Sequence, residues 1–230
     1  GRYSTLCIWK SRIMIKKILF GSKDKMKSAY LWNTCAAMLN AFQTVFILML
    51  ISRIDPVIDA GVFTIAFAIG NLMMAIGKYG IRQFQVSDVE EKYSFKEYTV
   101  ARIITSIIMI AASFVYVGVN LASGLYDSSK SIVIILICLA KVIDAVEDVI
   151  HGMFQQYLRL DVAGKILSIR MCTYIFVYLV CYYFSKNLIL TSAVALLVSF
   201  IQFVILNYTA IRGFEIKKKT FEIKNVKNIF

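Results

Sequence analysis

Histidine and proline are almost absent from this chain, since His151 and Pro56 are the only ones among 230 residues. A single histidine excludes a metal site built from several histidines. The five cysteines are odd in number, contain no CxxC pair and lie mostly in apolar stretches, which predicts buried free thiols. The first 30 residues lack the apolar core of about 7 to 15 residues that a signal peptide needs.

Apolar residues dominate instead. They make up 59% of the chain, with a mean hydropathy of +0.71, whereas soluble domains are about 45–50% apolar. The composition therefore predicts an all-α integral membrane protein. The net charge of +12 does not indicate nucleic-acid binding, because the Lys and Arg residues lie between apolar segments rather than on one basic face. That arrangement is typical of cytoplasmic loops that face anionic lipid.

The apolar runs predict a bundle of six transmembrane helices. Their approximate bounds are 31–51, 57–79, 99–122, 131–152, 166–184 and 188–211. This lobe (31–211) lies between a basic N-terminal segment (1–30), cytoplasmic or interfacial, and a basic cytoplasmic tail or linker (212–230).

Two stretches between the spans carry many charges, and one span carries many small residues. Residues 78–98 predict an interfacial helix or loop, and residues 153–170 predict a loop. In the second span the small residues predict close helix contacts, with a ligand role as the alternative. These small residues are Gly61, Ala66, Gly70, Ala75 and Gly77.

The distribution of cations predicts the orientation. Of the 26 Lys and Arg residues, 22 lie on one side of the predicted spans, and only Arg53, Lys130 and Lys186 lie on the other. Positive residues are retained in the cytoplasm. Both termini are therefore expected in the cytoplasm, with the protein in the cytoplasmic (inner) membrane.

The fourth span, SIVIILICLAKVIDAVEDVIHG (131–152), is unusually polar for a transmembrane helix. Its polar residues are Lys141, Asp144, Glu147, Asp148 and His151. Each unpaired charge at membrane depth costs roughly 2.5–3.5 kcal/mol. At about 100° per residue these side chains fall within about a third of the helix circumference. We therefore expect one polar stripe that faces a cavity inside the bundle.

This stripe has more than one interpretation. The acids Asp144, Glu147 and Asp148 either bind a coupling proton or cation, or form a static network. Lys141 either neutralises these acids or receives an anionic substrate. His151 is either a titrating switch or a packing residue at the membrane interface.

Two stretches carry a family resemblance. The segment YGIRQFQVSDVEEKYSFKEY (79–98) follows the second span, and AKVIDAVEDVIHGMFQQYLRLDVAGKILSIR (140–170) contains the acidic helix, a GMFQQ turn and a basic loop. Both are similar to the corresponding parts of polysaccharide flippases. These belong to the polysaccharide-transport branch of the multidrug/oligosaccharidyl-lipid/polysaccharide exporter superfamily. The similarity extends over nearly the whole chain after residue 22.

The resemblance implies a fold of two six-helix lobes around a central cavity, as in MATE-like transporters, of which this chain is the N-terminal one. It also implies the transport of a polyprenyl-diphosphate-linked oligosaccharide by alternating access, as in O-antigen export. The implied partners are this lipid-linked substrate, the phospholipid bilayer, and the polymerase and glycosyltransferases of the pathway. The absent second lobe is expected either in a longer chain or as a homodimer partner.

A diphosphate headgroup requires cations, preferably arginine. The candidate substrate-binding residues are Lys78, Arg82, Arg102 and Lys141. For the first three, which lie near the predicted cytoplasmic boundary, the alternative is an ordinary positive anchor.

Two other functions remain as alternatives. The carboxylates also suit a cation or drug antiporter, although a lysine among them is unfavourable. The DxxED group at 144–148 also suits a membrane enzyme that holds Mg²⁺ against a prenyl diphosphate. The remaining spans have no second acidic cluster, and the sequence shows no base and nucleophile pair and no glycine-rich phosphate loop. The sequence therefore predicts a transporter rather than an enzyme, without a cofactor or a metal site.

Overall fold

A computed structural model describes residues 14–55, 57–214 and 222–230, in which the regular secondary structure is entirely helical. Residues 14–20 form α1. The long helices are α2 (Lys25–Ile54), α3 (Ile58–Lys78), α5 (Phe95–Ala122), α6 (Ser128–Gln156), α7 (Leu160–Ser185) and α8 (Leu188–Ile211). Two short helices are α4 (Ile81–Ser87) and α9 (Ile223–Lys227). The predicted basic segments lie partly outside the described residues. Cys7 and Pro56 lie wholly outside them.

Five helical segments of the described chain are long and apolar enough to cross a membrane. They are Lys25–Ile54, Ile58–Ser87, Phe95–Ala122, Leu160–Ser185 and Leu188–Ile211. Each overlaps one of the predicted spans, so the prediction of an all-α, multi-pass membrane protein is confirmed. Helix α6 has a similar length of 29 residues, but its charges set it apart from the apolar five. The count of six spans therefore stays a prediction.

Side-chain caps define where several of the long helices begin. Asp24, Asp127 and Asn187 each accept a hydrogen bond from a backbone N–H of the first turn, in α2, α6 and α8. At α5, Ser94 and Glu97 form a reciprocal capping box. Such caps satisfy backbone donors that have no partner within the helix. The short polar connections between the apolar runs thus supply the capping residues at which the next helix begins.

The predicted loop at 153–170 is wrong. Helix α6 continues to Gln156 and α7 begins at Leu160, so only residues 157–159 separate the two helices. The charged residues that suggested a loop are satisfied within the fold. Arg159 Nε donates to Asp161 Oδ1 at 2.8 Å, and the Asp161 side chain is fully buried.

Lys165 is a second charged residue of this stretch that has partners within the fold. Its Nζ donates to the backbone oxygens of Ile18 and Leu19 at 2.9 and 3.0 Å and to Ser22 Oγ at 2.6 Å. These acceptors lie at the end of α1, where the last carbonyls have no partner within the helix. The lysine therefore joins the N-terminal helix to α7 instead of entering solvent.

Helix α6 is the centre of the bundle and packs against α3, α4, α5, α7 and α8. A Cβ added at Gly77 would lie 2.6 Å from Met109 Sδ and 3.1 Å from Ala145 Cβ, and one at Gly70 would lie 3.1 Å from Ile137 Cγ2. The predicted close contacts are confirmed for these two glycines and for Ala66, which is fully buried. They are wrong for Gly61, which has open space beside it, and for Ala75, which is exposed, because both face away from α6.

The outer surface of the bundle is apolar. Large side chains exposed on α2, α5 and α8 include Phe42, Phe46, Ile107, Phe114 and Phe200. A surface of this kind suits lipid rather than water. The prediction of buried free thiols is confirmed for Cys138. It is wrong for Cys35 and Cys172, which are free thiols exposed on this surface.

Candidate functional site

Asp148 lies between two arginines from different helices. Arg82 Nη1 of α4 donates to Asp148 Oδ1 at 3.2 Å, and Arg102 Nη2 of α5 donates to Asp148 Oδ2 at 2.9 Å. The Arg82 side chain is 30% exposed, whereas that of Arg102 is completely buried. Arg102 also donates to the Gly77 carbonyl at 2.7 Å. Asp148 is therefore neutralised by one fixed arginine and one accessible arginine.

Asp144 and Glu147 share a third arginine. Arg170 Nη2 of α7 lies 2.5 Å from Asp144 Oδ1 and 2.8 Å from Glu147 Oε2. Asn207 Nδ2 of α8 donates to the second Glu147 oxygen at 2.8 Å. All these side chains are mostly or fully buried. Charge-assisted hydrogen bonds of this kind satisfy the acids of α6 within the bundle.

Lys141 is buried beside this pair of acids. Its Nζ lies 3.5 Å from Asp144 Oδ2 and 4.3 Å from the centre of the Phe67 ring. Its side chain is only 6% exposed, so the geometry is that of an internal ion pair supplemented by a cation–π contact. A role of Lys141 in substrate binding stays a prediction.

The predicted single stripe facing one cavity is wrong. Asp148 points toward α4 and α5, whereas Asp144 and Glu147 point toward α7 and α8. Neighbouring residues on a helix differ by about 100° in direction. That difference is enough for Glu147 and Asp148 to reach helices on different sides of α6. His151 Nε2 lies 3.9 Å from Glu147 Oε2 and makes no hydrogen bond.

A polar cavity of about 590 Å³ opens beside Asp148. Its lining residues are Lys78, Arg82, Gln83, Val86, Ser87, Asp148 and Gln155. The structure thus brings Lys78, Arg82 and Asp148 together at one cavity, as the sequence suggested for the two cations. Arg102 and Lys141, the other two candidate substrate-binding residues, do not line it.

The turn between α3 and α4 positions the two cations of the cavity. Tyr79 and Gly80 both adopt left-handed backbone conformations, with φ of 35° and 66°. They end α3 at Lys78 and redirect the chain into α4, which carries Arg82. Arg82 Nη2 also donates to Gln155 Oε1 at 3.0 Å, so its guanidinium spans two residues of α6.

The cavity has a surplus of positive charge. Lys78, Arg82 and the buried Arg102 together outnumber the single carboxylate of Asp148. Water reaches Arg82 but not Arg102, so Arg82 is the guanidinium that an anion in the cavity can contact. This arrangement can bind an anion such as a phosphate group by charge-assisted hydrogen bonds.

Sequence reasoning missed three residues of the site. Arg170 falls where the predicted loop and the fifth predicted span overlap, and the sequence pattern indicates no role for Asn207 or Gln155. A signal for Arg170 exists in the sequence, because Tyr174, Tyr178 and Tyr182 follow it at every fourth position on one helical face. An ionisable residue on such a face is a candidate for function by default.

The chain matches no known protein family, no curated protein and no solved structure. Within residues 14–55, 57–214 and 222–230, no three His, Cys, Asp or Glu side chains are arranged to hold a metal ion. The resemblance to polysaccharide flippases remains a prediction from the sequence.

Proposed function

We propose that this chain is one lobe of a membrane flippase that moves a polyprenyl-diphosphate-linked oligosaccharide across the cytoplasmic membrane by alternating access. The substrate would serve the synthesis of a cell-surface polysaccharide. The observation that carries the proposal is the cationic cavity formed by Lys78 and Arg82 at one end of an apolar bundle. Arginine binds phosphate oxygens in pairs, while the prenyl tail stays in the lipid.

The proposed topology has six spans, with α6 as the fourth and both termini in the cytoplasm. The strong excess of Lys and Arg on one side supports this orientation. The cavity at the end of α3 then opens at the cytoplasmic boundary, where a lipid-linked sugar made in the cytoplasm first meets the protein. The proposal implies either a second lobe or a second copy as the opposite wall of the transport path, and the polymerase and glycosyltransferases as pathway partners.

Two arginines on Asp148 suggest how the headgroup binds. A diphosphate can attract Arg82 away from Asp148 and Gln155, because Arg102 still neutralises the carboxylate at 2.9 Å. The exchange therefore leaves no buried charge without a partner. In this proposal Lys78 and Arg82 contact the headgroup, and Arg102 is a positioning residue.

The alternatives have less support from the geometry. A cation antiporter requires a carboxylate that can exchange its counter-ion. Asp144 and Glu147 are held by the buried Arg170, and Asp148 by the buried Arg102. The same pairs occupy the acids that a magnesium-dependent enzyme would need.

The proposal is tested by binding measurements with purified protein in detergent. A polyprenyl diphosphate should raise the melting temperature, and the corresponding prenyl alcohol should not. Arg82→Gln should abolish the rise. Arg53→Gln is the matched control, because Arg53 is an exposed cation at the opposite end of the bundle.

In cells, Arg82→Gln should also reduce the lipid-linked glycan that reaches the outer leaflet at matched protein levels. An equal rise with the alcohol and the diphosphate would refute the headgroup site. Wild-type glycan export by Arg82→Gln would refute its role in transport.

A further inference from the structure

An apolar groove lies on the surface of the bundle between the C-terminal parts of α2 and α7. Its volume is about 520 Å³. The two helices pack along each other, and Ile47, Ile51 and Tyr178 belong to one hydrophobic core. The groove is therefore formed by packed helices rather than by a loop. Its lining includes Phe46, Met49 and Arg53 of α2 and Val180, Tyr183 and Phe184 of α7.

The spacing along α2 places a cation at one end of the groove. Phe46, Met49 and Arg53 follow one another at intervals of three and four residues, so they share one face of the helix. From Phe46 to Arg53 the helix rises about 10 Å. Half of the hydrocarbon layer is about 15 Å thick. The groove thus has apolar walls at the depth of acyl chains and a guanidinium near the depth of phospholipid headgroups.

The guanidinium of Arg53 is available to a ligand. It makes no ion pair and no side-chain hydrogen bond with any other residue that the structure describes. Asp55 is the nearest acid along the chain, but its Oδ1 accepts the backbone N–H groups of Val57 and Ile58 at 3.3 and 2.9 Å. A phosphate oxygen is a strong acceptor for a free guanidinium.

Aromatic side chains of α7 mark the same end of the groove. Tyr183 and Phe184 are both exposed, and their rings meet edge to face with centroids 5.3 Å apart. Tyrosine is enriched at the membrane interface, where its ring stays in lipid and its hydroxyl group reaches water. Arg53 on α2 and Tyr183 on α7 therefore indicate the same level of the membrane, at which a lipid headgroup would lie.

Charge rather than apolar contact decides which lipid the groove prefers. Acyl chains are as apolar as the walls of the groove, so these walls alone give little preference between lipids. A phosphatidylcholine headgroup carries a cation beside its phosphate, and none of the described lining residues is an acid that could pair with it. A phosphatidylglycerol headgroup carries only the phosphate charge, which Arg53 can neutralise.

We propose that this groove binds an anionic phospholipid, with an acyl chain between α2 and α7 and the phosphate on Arg53. Arg53 lies in the last turn of α2 and Lys78 at the far end of α3, so the groove and the Lys78 cavity are at opposite ends of the bundle. In the proposed topology the groove belongs to the outer leaflet. This binding goes beyond the flippase function and does not depend on it.

The test measures the melting temperature of the purified chain in a neutral detergent as phospholipid is added. A ligand that binds only the folded state raises this temperature. Phosphatidylglycerol should act at a lower concentration than phosphatidylcholine with the same acyl chains. Arg53→Gln should raise the concentration of phosphatidylglycerol needed about tenfold, as the loss of a charge-assisted hydrogen bond implies. It should leave the response to phosphatidylcholine unchanged.

Two further variants separate the charge from the groove. Lys186→Gln is the matched control, because it removes a cation from the same end of the bundle but from a residue that lines a different cavity. It should keep the wild-type response to phosphatidylglycerol. Val180→Trp keeps Arg53 and fills the groove from a side chain that is 40% exposed, so the fold should tolerate it. It should weaken the response to both lipids.

Four results would overturn the proposal. They are equal responses of the wild type to the two lipids, an unchanged phosphatidylglycerol response in Arg53→Gln, an equal loss in Lys186→Gln, and a full response in Val180→Trp. The second result would leave Arg53 as an ordinary cation at a helix C-terminus. Arg82→Gln should keep the phosphatidylglycerol response, so a failure of the flippase proposal and a failure of this one are distinguishable.

Discussion

Replacing Asp148 by asparagine should destabilise the protein through Arg102 rather than through Arg82. Both arginines contact this carboxylate, but the Arg102 side chain is completely buried and that of Arg82 is 30% exposed. The asparagine leaves Arg102 as a buried cation without a counter-ion, at a cost of about 3–5 kcal/mol. Arg82 can turn into its cavity, so its loss of a partner costs about 0–1 kcal/mol.

The two arginines should therefore differ as second-site changes. Adding Arg102→Gln to Asp148→Asn removes the stranded charge, and glutamine keeps a donor for the Gly77 carbonyl that Arg102 binds. This double variant should be nearly as stable as the wild type. Adding Arg82→Gln instead should restore nothing, because the buried cation remains.

Thermal melting in detergent measures these differences. For a chain of this size, 3–5 kcal/mol corresponds to a fall of roughly 6–20 °C in melting temperature. Wild-type melting of Asp148→Asn would refute the reasoning. Equal rescue by Arg82→Gln and Arg102→Gln would also refute it, because burial would then not decide which arginine needs the carboxylate.

Three further predictions concern other parts of the bundle. Lys141→Met should melt like the wild type, since Arg170 still neutralises Asp144, whereas Arg170→Met should leave the buried Glu147 carboxylate without a cation and lower the protein yield in membranes; equal yields would contradict this. Gly77→Val should destabilise by about 1–3 kcal/mol in the same melting assay, because its side chain would meet α5 and α6. A cysteine at Lys186 should react with an impermeant maleimide on intact cells, and one at Glu90 only after permeabilisation; the reverse pattern would invert the proposed orientation.

The transmembrane helices were predictable because each contains a long apolar run that no soluble fold would expose. Their ends were less predictable. Gln156 and Leu160 lie within α6 and α7 because the charges around them find partners on other elements, such as the Lys165 contacts with α1. A sequence shows that such residues are charged, but it does not show which backbone oxygens lie within their reach.

The candidate site was predictable in its chemistry and only partly in its arrangement. The acids of α6 required cations inside the bundle, and four cations lie within 4 Å of them. The division of these acids between Arg102 on α5 and Arg170 on α7 depends on how the helices surround α6. Periodicity along α6 gives the directions of Asp148 and Glu147, but not the identity of the helix in each direction.

The central position of α6 imposes an order on membrane insertion. When α6 leaves the ribosome, Arg82 and Arg102 have already been made, so Asp148 can be neutralised at once. Asp144 has Lys141 in the same helix, but Glu147 must wait for Arg170, which is 23 residues further along the chain. At about 5–20 residues per second this delay is about 1–5 s. During that interval the insertion machinery has to shelter the Glu147 carboxylate from lipid, and α6 and α7 should therefore move into the bilayer as a pair.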